Sequence, residues 1–148
     1  MTLISHLVSV GDATIKFWSI SSDQLQLIQE HTMEQINGFD TNYTDMIAYG
    51  DNKSVQLQSL TMEDGLLKLG DPELAMQFNT QVRKVQFVGG KYLAAISEDS
   101  TAHLMFLDSK TVKKLPKGGH EANIKNFAVD PLCEFIATIG CDGTLIVS

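Results

Sequence analysis

Apolar and polar positions alternate with a period of two over much of the chain. Ile15 and Phe17 alternate with Lys16 and Trp18, and Val55 and Leu57 alternate with Gln56 and Gln58. A period of two enriched in β-branched and aromatic residues predicts half-buried strands. Four segments repeat one plan, a short apolar run, a polar turn and a second alternating run. They are LVSVGDATIKFWSI (7–20), MIAYGDNKSVQLQSL (46–60), YLAAISEDSTAHLMFLDS (92–109) and FIATIGCDGTLIVS (135–148). Superposing their turns aligns Asp12, Asn52, Asp99 and Asp142, at spacings of 40, 47 and 43 residues. Paired strands recurring at this interval are the pattern of propeller blades.

Two more strands per unit complete the prediction. The inner one reads INGF (36–39), VRKVQF (82–87) and IKNFAV (124–129). The outer one reads LQLI (25–28), ELAMQF (73–78) and TVKKL (111–115). Gly89-Gly90 between two of these runs predicts a tight primed hairpin turn with positive φ, and Asp130-Pro131 marks the equivalent turn of the last unit. Residues 21–36 contain enough helix formers for a short helix, and Asp71-Pro72-Glu73 resembles a helix start. The repeat frame favours strands in both places, and 61–71 reads as an enlarged loop.

The predicted fold is therefore all-β: a partial propeller of about three and a half four-stranded antiparallel blades, forming an open ring. Residues 1–148 make one propeller segment, with blades over roughly 1–31, 32–78, 79–115 and 116–148, the first and last incomplete. A Gly-His pair for the first unit would precede residue 1, and Ser148 stands where such a unit ordinarily ends in Trp. Ser148 is either a diverged residue or the mark of a cut, and the open edges favour self-association unless more chain covers them.

Composition fits a globular chain, 43% hydrophobic and 20% charged, without an apolar run long enough to cross a bilayer. The start, MTLISHLVSVGD, lacks a cationic leader followed by a long apolar stretch, which argues against a secretory signal. The net charge of −7 is uneven. Residues 23–78 carry ten acids against two lysines, a net −8, and residues 79–148 carry eight basic residues against seven acids, a net +1. That balance argues against direct nucleic-acid binding, which needs concentrated positive charge. Cys133 and Cys141 flank a predicted strand that would hold them roughly 26 Å apart, far beyond disulfide reach. With no CxxC and no ligand-spaced histidine, no zinc site is expected.

The stretch GHEANIKNFAVDPLCEFIATIGCDGTLIVS (119–148) resembles a WD40 repeat, with Gly119-His120, Asp130-Pro131 and Cys141-Asp142-Gly143-Thr144 in order. More narrowly, VGDATIKFW, a weak second unit ending NKSVQLQSL, and GHEANIKNFAVDPLCEFIATIGCDGT resemble the amino-terminal WD40 region of the eukaryotic replisome-adaptor family. That family includes the chromosome transmission fidelity protein and the WD-repeat and HMG-box DNA-binding protein. The resemblance implies a nuclear, non-enzymatic scaffold linking DNA polymerase α–primase to the replicative helicase, with roles in chromatin association and sister-chromatid cohesion. It also implies that the principal partner contacts lie outside this stretch. A WD40 adaptor of an unrelated pathway is the alternative.

The resemblance further implies a side-chain network. Its members in the last unit are His120, Thr138, Asp142 and, in place of Trp, Ser148; Asp12 and Trp18 belong to the same frame in the first unit. A buried Asp–His pair satisfies polar groups that are otherwise costly. It also invites a catalytic reading with Thr138 or Ser148 as nucleophile, but the repeat context favours structure. His6 and His103 fall on apolar runs, and His31 in a polar connection, without ligand-spaced partners. No phosphate loop, HExxH or GxSxG occurs, so no catalytic, cofactor or metal residue is assigned. Lys110, Lys113, Lys114 and Lys117 form the one basic cluster. It reads chiefly as edge protection on an outer strand, and secondarily as a weak contact for phosphate or an acidic partner.

Overall fold

The computed structural model describes residues 5–11, 13–20, 24–32, 36–42, 45–63, 66–99, 101–115, 124–130, 132 and 134–147. These residues form fifteen strands and no helix, in four antiparallel sheets. The first sheet is β1 (Ser5–Gly11), β2 (Thr14–Ile20) and β3 (Leu25–Thr32). The second holds β4 (Asn37–Thr41), β5 (Met46–Asp51), β6 (Ser54–Glu63), β7 (Leu66–Leu69) and β8 (Glu73–Gln77). The third is β9 (Val82–Val88), β10 (Tyr92–Ser97), β11 (Ala102–Phe106) and β12 (Val112–Leu115). The fourth is β13 (Ile124–Val129), β14 (Ile136–Gly140) and β15 (Leu145–Val147).

Most strands pair with their chain neighbour, as local hairpins do. The second sheet departs from this through β6. Its first half pairs β8, from Ser54↔Gln77 to Leu57↔Glu73, and its second half pairs β7, from Leu60↔Leu69 to Glu63↔Leu66. The enlarged loop expected over 61–71 is thus largely a hairpin. Alternating Leu67 and Leu69 face the first sheet, so the inserted residues gain burial by forming a strand rather than hanging free. Both segments with helical character, 21–36 and 71–77, contain strands, β3 and β8. Backbone pairing with β2 and β6 overrides their local propensity, with β3 itself largely exposed.

Three apolar cores lie between successive sheets. Ile15 and Phe17 of the first sheet pack with Ile47, Tyr49 and Leu67 of the second. Val55, Leu57 and Met76 of the second pack with Val85, Leu93 and Met105 of the third. Ala94, Ile96 and Ala102 of the third pack with Ile124 and Phe127 of the fourth. Period-two alternation makes this possible: the two faces of a middle sheet are both apolar, each serving a different neighbour.

The inner strands come closest. Gly38 in β4 has φ +78°, and a Cβ there would sit 3.1 Å from Lys84 Cα and Val85 N of β9. Glycine supplies both the left-handed backbone and the missing methyl that this approach requires. The β9–β10 connection differs from the expected two-residue primed turn. It spans Gly89, Gly90 and Lys91, and of the two glycines only Gly89 has positive φ, +57°.

Candidate interaction surface

Polar side chains bind successive inner strands together. Asp40 Oδ2 of β4 accepts from the Phe87 amide of β9 at 2.7 Å. Arg83 Nη2 of β9 donates to Ile124 O at 2.6 Å and Lys125 O at 2.7 Å in β13. Lys84 donates to Asn126 Oδ1 and, at 2.7 Å, to Phe127 O, with its Nζ 4.5 Å from the Phe127 ring centroid. Burial lowers the Lys84 pKa, against a smaller opposing pull from Asp40. Between the first and second sheets Gln29 plays the part of a strand. Its Nε2 donates to Leu67 O at 2.5 Å and its Oε1 accepts from Leu67 N at 3.0 Å.

The residues singled out in the sequence are distributed as follows. His120, Asp12, Lys117 and Ser148 lie outside the described residues, as does Cys133; Cys141 is exposed and unpaired with another cysteine. Trp18 Nε1 donates to Ser9 Oγ at 2.9 Å, joining β2 to β1. Asp142 sits in the β14–β15 turn, where Oδ1 accepts from Thr144 N at 3.0 Å and from Thr144 Oγ1 at 2.5 Å. Thr138 lies on β14 opposite Phe127 and Ile146.

A stronger version of the Asp142 turn occurs in the third sheet, at Asp99. Fully buried Ser97 donates its hydroxyl to Asp99 Oδ1 at 2.5 Å, and Thr101 N donates to the same oxygen at 3.0 Å. The Asp99 amide in turn donates to Thr80 Oγ1 at 3.2 Å. The Ser97 hydrogen bond, aided by Thr101 and Thr80 and opposed by burial, lowers the Asp99 pKa to about 2. The signal was present as S-E-D-S-T, the same Asp-x-Thr spacing as C-D-G-T.

The lysines do not share one face. Lys110 occupies the β11–β12 turn with φ +58° and pairs with Glu73 of the second sheet at 3.7 Å. Lys113 and Lys114 are consecutive on β12, opposite Leu104 and His103 respectively, and so project to opposite sides. Lys113 Nζ lies 5.5 Å from the Phe106 ring centroid. His103 stacks on Phe78 of the second sheet with ring centroids 4.5 Å apart, and its Nδ1 is buried without a hydrogen-bond partner. Burial first, then the Lys114 charge, lowers its pKa, opposed by Asp99.

Turns from the second and third sheets enclose a cleft of about 620 Å3, lined in part by Asn42, Asp45, Met46, Phe87, Leu107 and Asp108. It is open and mixed in character, suited to a loop or side chain of a partner rather than to enclosing a small molecule. Among the described residues, no three His, Cys, Asp or Glu side chains gather as a metal set would. The same residues contain no helix long and apolar enough to cross a membrane. No protein-family model matches the chain, and no curated protein matches it.

Proposed function

We propose that this chain is an arc of a WD40 β-propeller, with the four sheets as successive blades, and that it works as a non-enzymatic scaffold for protein partners. The observation that carries the reading is the stacking of four antiparallel sheets in chain order through three separate apolar cores. Second support comes from the inner strands, where Asp40, Arg83 and Lys84 each bond to the next sheet. Such a framework holds turns rigidly at its ends, and turns on rigid frames are where partners bind. In this reading Asp99 and Asp142 pin corresponding turns, and their work is structural.

The pathway assignment rests on the resemblance of residues 10–18, 52–60 and 119–144 to the replisome-adaptor family. We infer a nuclear role in DNA replication, in a protein that connects DNA polymerase α–primase with the replicative helicase, those contacts lying chiefly outside residues 1–148. The test is fractionation of the tagged natural gene product through S phase. Recovery on chromatin together with polymerase α–primase and the replicative helicase is the expected result. Exclusion from the nucleus, with neither complex co-precipitating, would overturn the replication assignment and leave the alternative of a WD40 adaptor in another pathway.

A further inference from the structure

The outer strands of the first three sheets differ in charge. β3 carries Glu30 and β8 carries Glu73, and neither has a lysine. β12, the edge strand of the third sheet, reads Val112-Lys113-Lys114-Leu115, with two lysines and no acid. The second and fourth sheets pack on the two faces of this sheet, so its edge is made by the fold itself. Val112, Lys113 and Lys114 are exposed, and among the described residues neither lysine forms an ion pair.

Register shows which backbone groups this edge presents. Phe106 N donates to Thr111 O at 2.9 Å, and Ser97 N donates to Thr101 O at 3.0 Å. Antiparallel pairs alternate between bonded and non-bonded, and both contacts set the same phase on β11. Leu104↔Lys113 and Ala102↔Leu115 are its bonded pairs with β12. Met105↔Val112 and His103↔Lys114 are the non-bonded pairs, so the N–H and C=O of Val112 and Lys114 point away from β11. Two donors and two acceptors in a row are the template that an added strand needs.

Side-chain placement decides the chemistry of that strand. Val112 and Lys114 lie on the side of the second sheet, with Met105, and Lys113 lies on the side of the fourth, with Leu104. A flat anionic surface meets lysines on one side at a time, whereas an extended strand alternates its side chains as β12 does. Two consecutive acids in such a strand meet both lysines at once. A second β12 paired in antiparallel fashion would set lysine beside lysine, which is unfavourable.

We propose that β12 is the docking edge for an extended acidic segment of a protein partner, which joins the third sheet as a fifth strand. The segment carries two consecutive Asp or Glu residues opposite Lys113 and Lys114, and an apolar residue opposite Val112, which is 40% exposed. The lysines have two effects: they repel a like edge and select an acidic one. The inference rests on the third sheet alone and is independent of the propeller and replication readings.

The test follows the fluorescence anisotropy of a labelled peptide, SVTVEEVTVS, titrated with the purified natural gene product. This peptide places a valine beside the acidic pair in either strand direction. Its controls are SVTVKKVTVS and SPTPEEPTPS, the second keeping both acids but unable to form a ladder. The wild type should bind the first peptide and neither control. Lys113→Glu with Lys114→Glu should weaken that binding by about ten-fold and confer binding of the lysine peptide. Val112→Pro removes an outward N–H without changing charge and should weaken binding several-fold. Melting curves check that the variants fold, and the proline peptide reads the same point should Val112→Pro unfold. Hydrogen exchange should slow at the Val112 and Lys114 amides when the acidic peptide is bound. No binding of SVTVEEVTVS up to about 1 mM would overturn the proposal. So would equal affinity for SPTPEEPTPS, the mark of charge attraction without strand addition, or an affinity unaltered by the two lysine reversals.

Discussion

Ile96 and Ile139 occupy the same place in adjacent sheets, yet one is sealed and the other is 44% exposed. Both lie on a second strand, opposite a third-strand residue, on the face turned toward the following sheet. Among the described residues, the difference is whether another sheet packs against that face. Ile96 meets Ile124 and Phe127 of the fourth sheet, whereas no described sheet covers Ile139. The third and fourth sheets therefore show one sequence pattern in two energetic states. Complete burial of an aliphatic side chain contributes about 1.5–3 kcal/mol relative to exposure, and that contribution comes from the neighbour rather than from the strand that carries it.

The largest expected effect is a direct break of this contrast. Ile96→Ala should destabilise the chain by about 2–5 kcal/mol through lost contacts and a cavity. Ile139→Ala, in urea denaturation at a concentration where the chain is monomeric, should cost below about 1 kcal/mol. Equal losses at the two positions would show that the fourth sheet's outer face is already covered. A cost at Ile139 that grows with protein concentration would tie that face to self-association.

Backbone position gives the next contrast. Gly38→Ala forces a methyl group against the β9 backbone from a left-handed residue, and should cost about 1–3 kcal/mol or more. Gly143→Ala in the β14–β15 turn has the same left-handed strain, φ +80°, with open space around the new methyl, and should cost about 1 kcal/mol. Comparing the two thermal midpoints separates inter-sheet crowding from strain alone.

Two titrations are smaller. Asp99 has a folded pKa of about 2, below the ordinary 3.8, so its stabilising effect is complete above pH ~4 and is lost as pH falls toward 2. Asp99→Asn should lower the melting temperature at neutral pH, and the gap from wild type should close over that acidic window; a gap constant down to pH 2 would contradict the hydrogen-bond account. His103 has its pKa lowered by burial, then by Lys114, so folding disfavours its charged form. Stability is full above pH ~6.5 and declines as pH falls through that value toward the folded pKa. His103→Phe, which can keep the stack on Phe78, should flatten the wild-type loss of stability between about pH 7 and 5.

Much of the architecture was legible in the residues. Alternation at 14–20 and 54–58 and the short apolar run at 92–97 indicated strands, and the recurrence of Asp or Asn between paired runs placed hairpin turns at Asn52, Asp99 and Asp142. The β7 hairpin was not legible, because Leu66-Leu67-Lys68-Leu69 is too short to show a period, and its value as a strand lies in burying Leu67 beneath the first sheet. The Ser97–Asp99 bond was not legible for a related reason: one-dimensional spacing does not reveal which turn carboxylate meets a buried hydroxyl. The clustered lysines show the converse, since neighbours in sequence fall on opposite sides of a strand.

By itself, the sequence determined what is local: period-two strands, polar turns and a repeating unit, because side-chain alternation and turn chemistry act over a few residues. Tertiary structure alone decided which apolar faces are covered, which polar groups bridge one sheet to the next, and which carboxylate is held ionised. Those outcomes depend on residues about forty positions apart, such as Arg83 with Ile124 and Gln29 with Leu67, meeting through the packing of whole sheets.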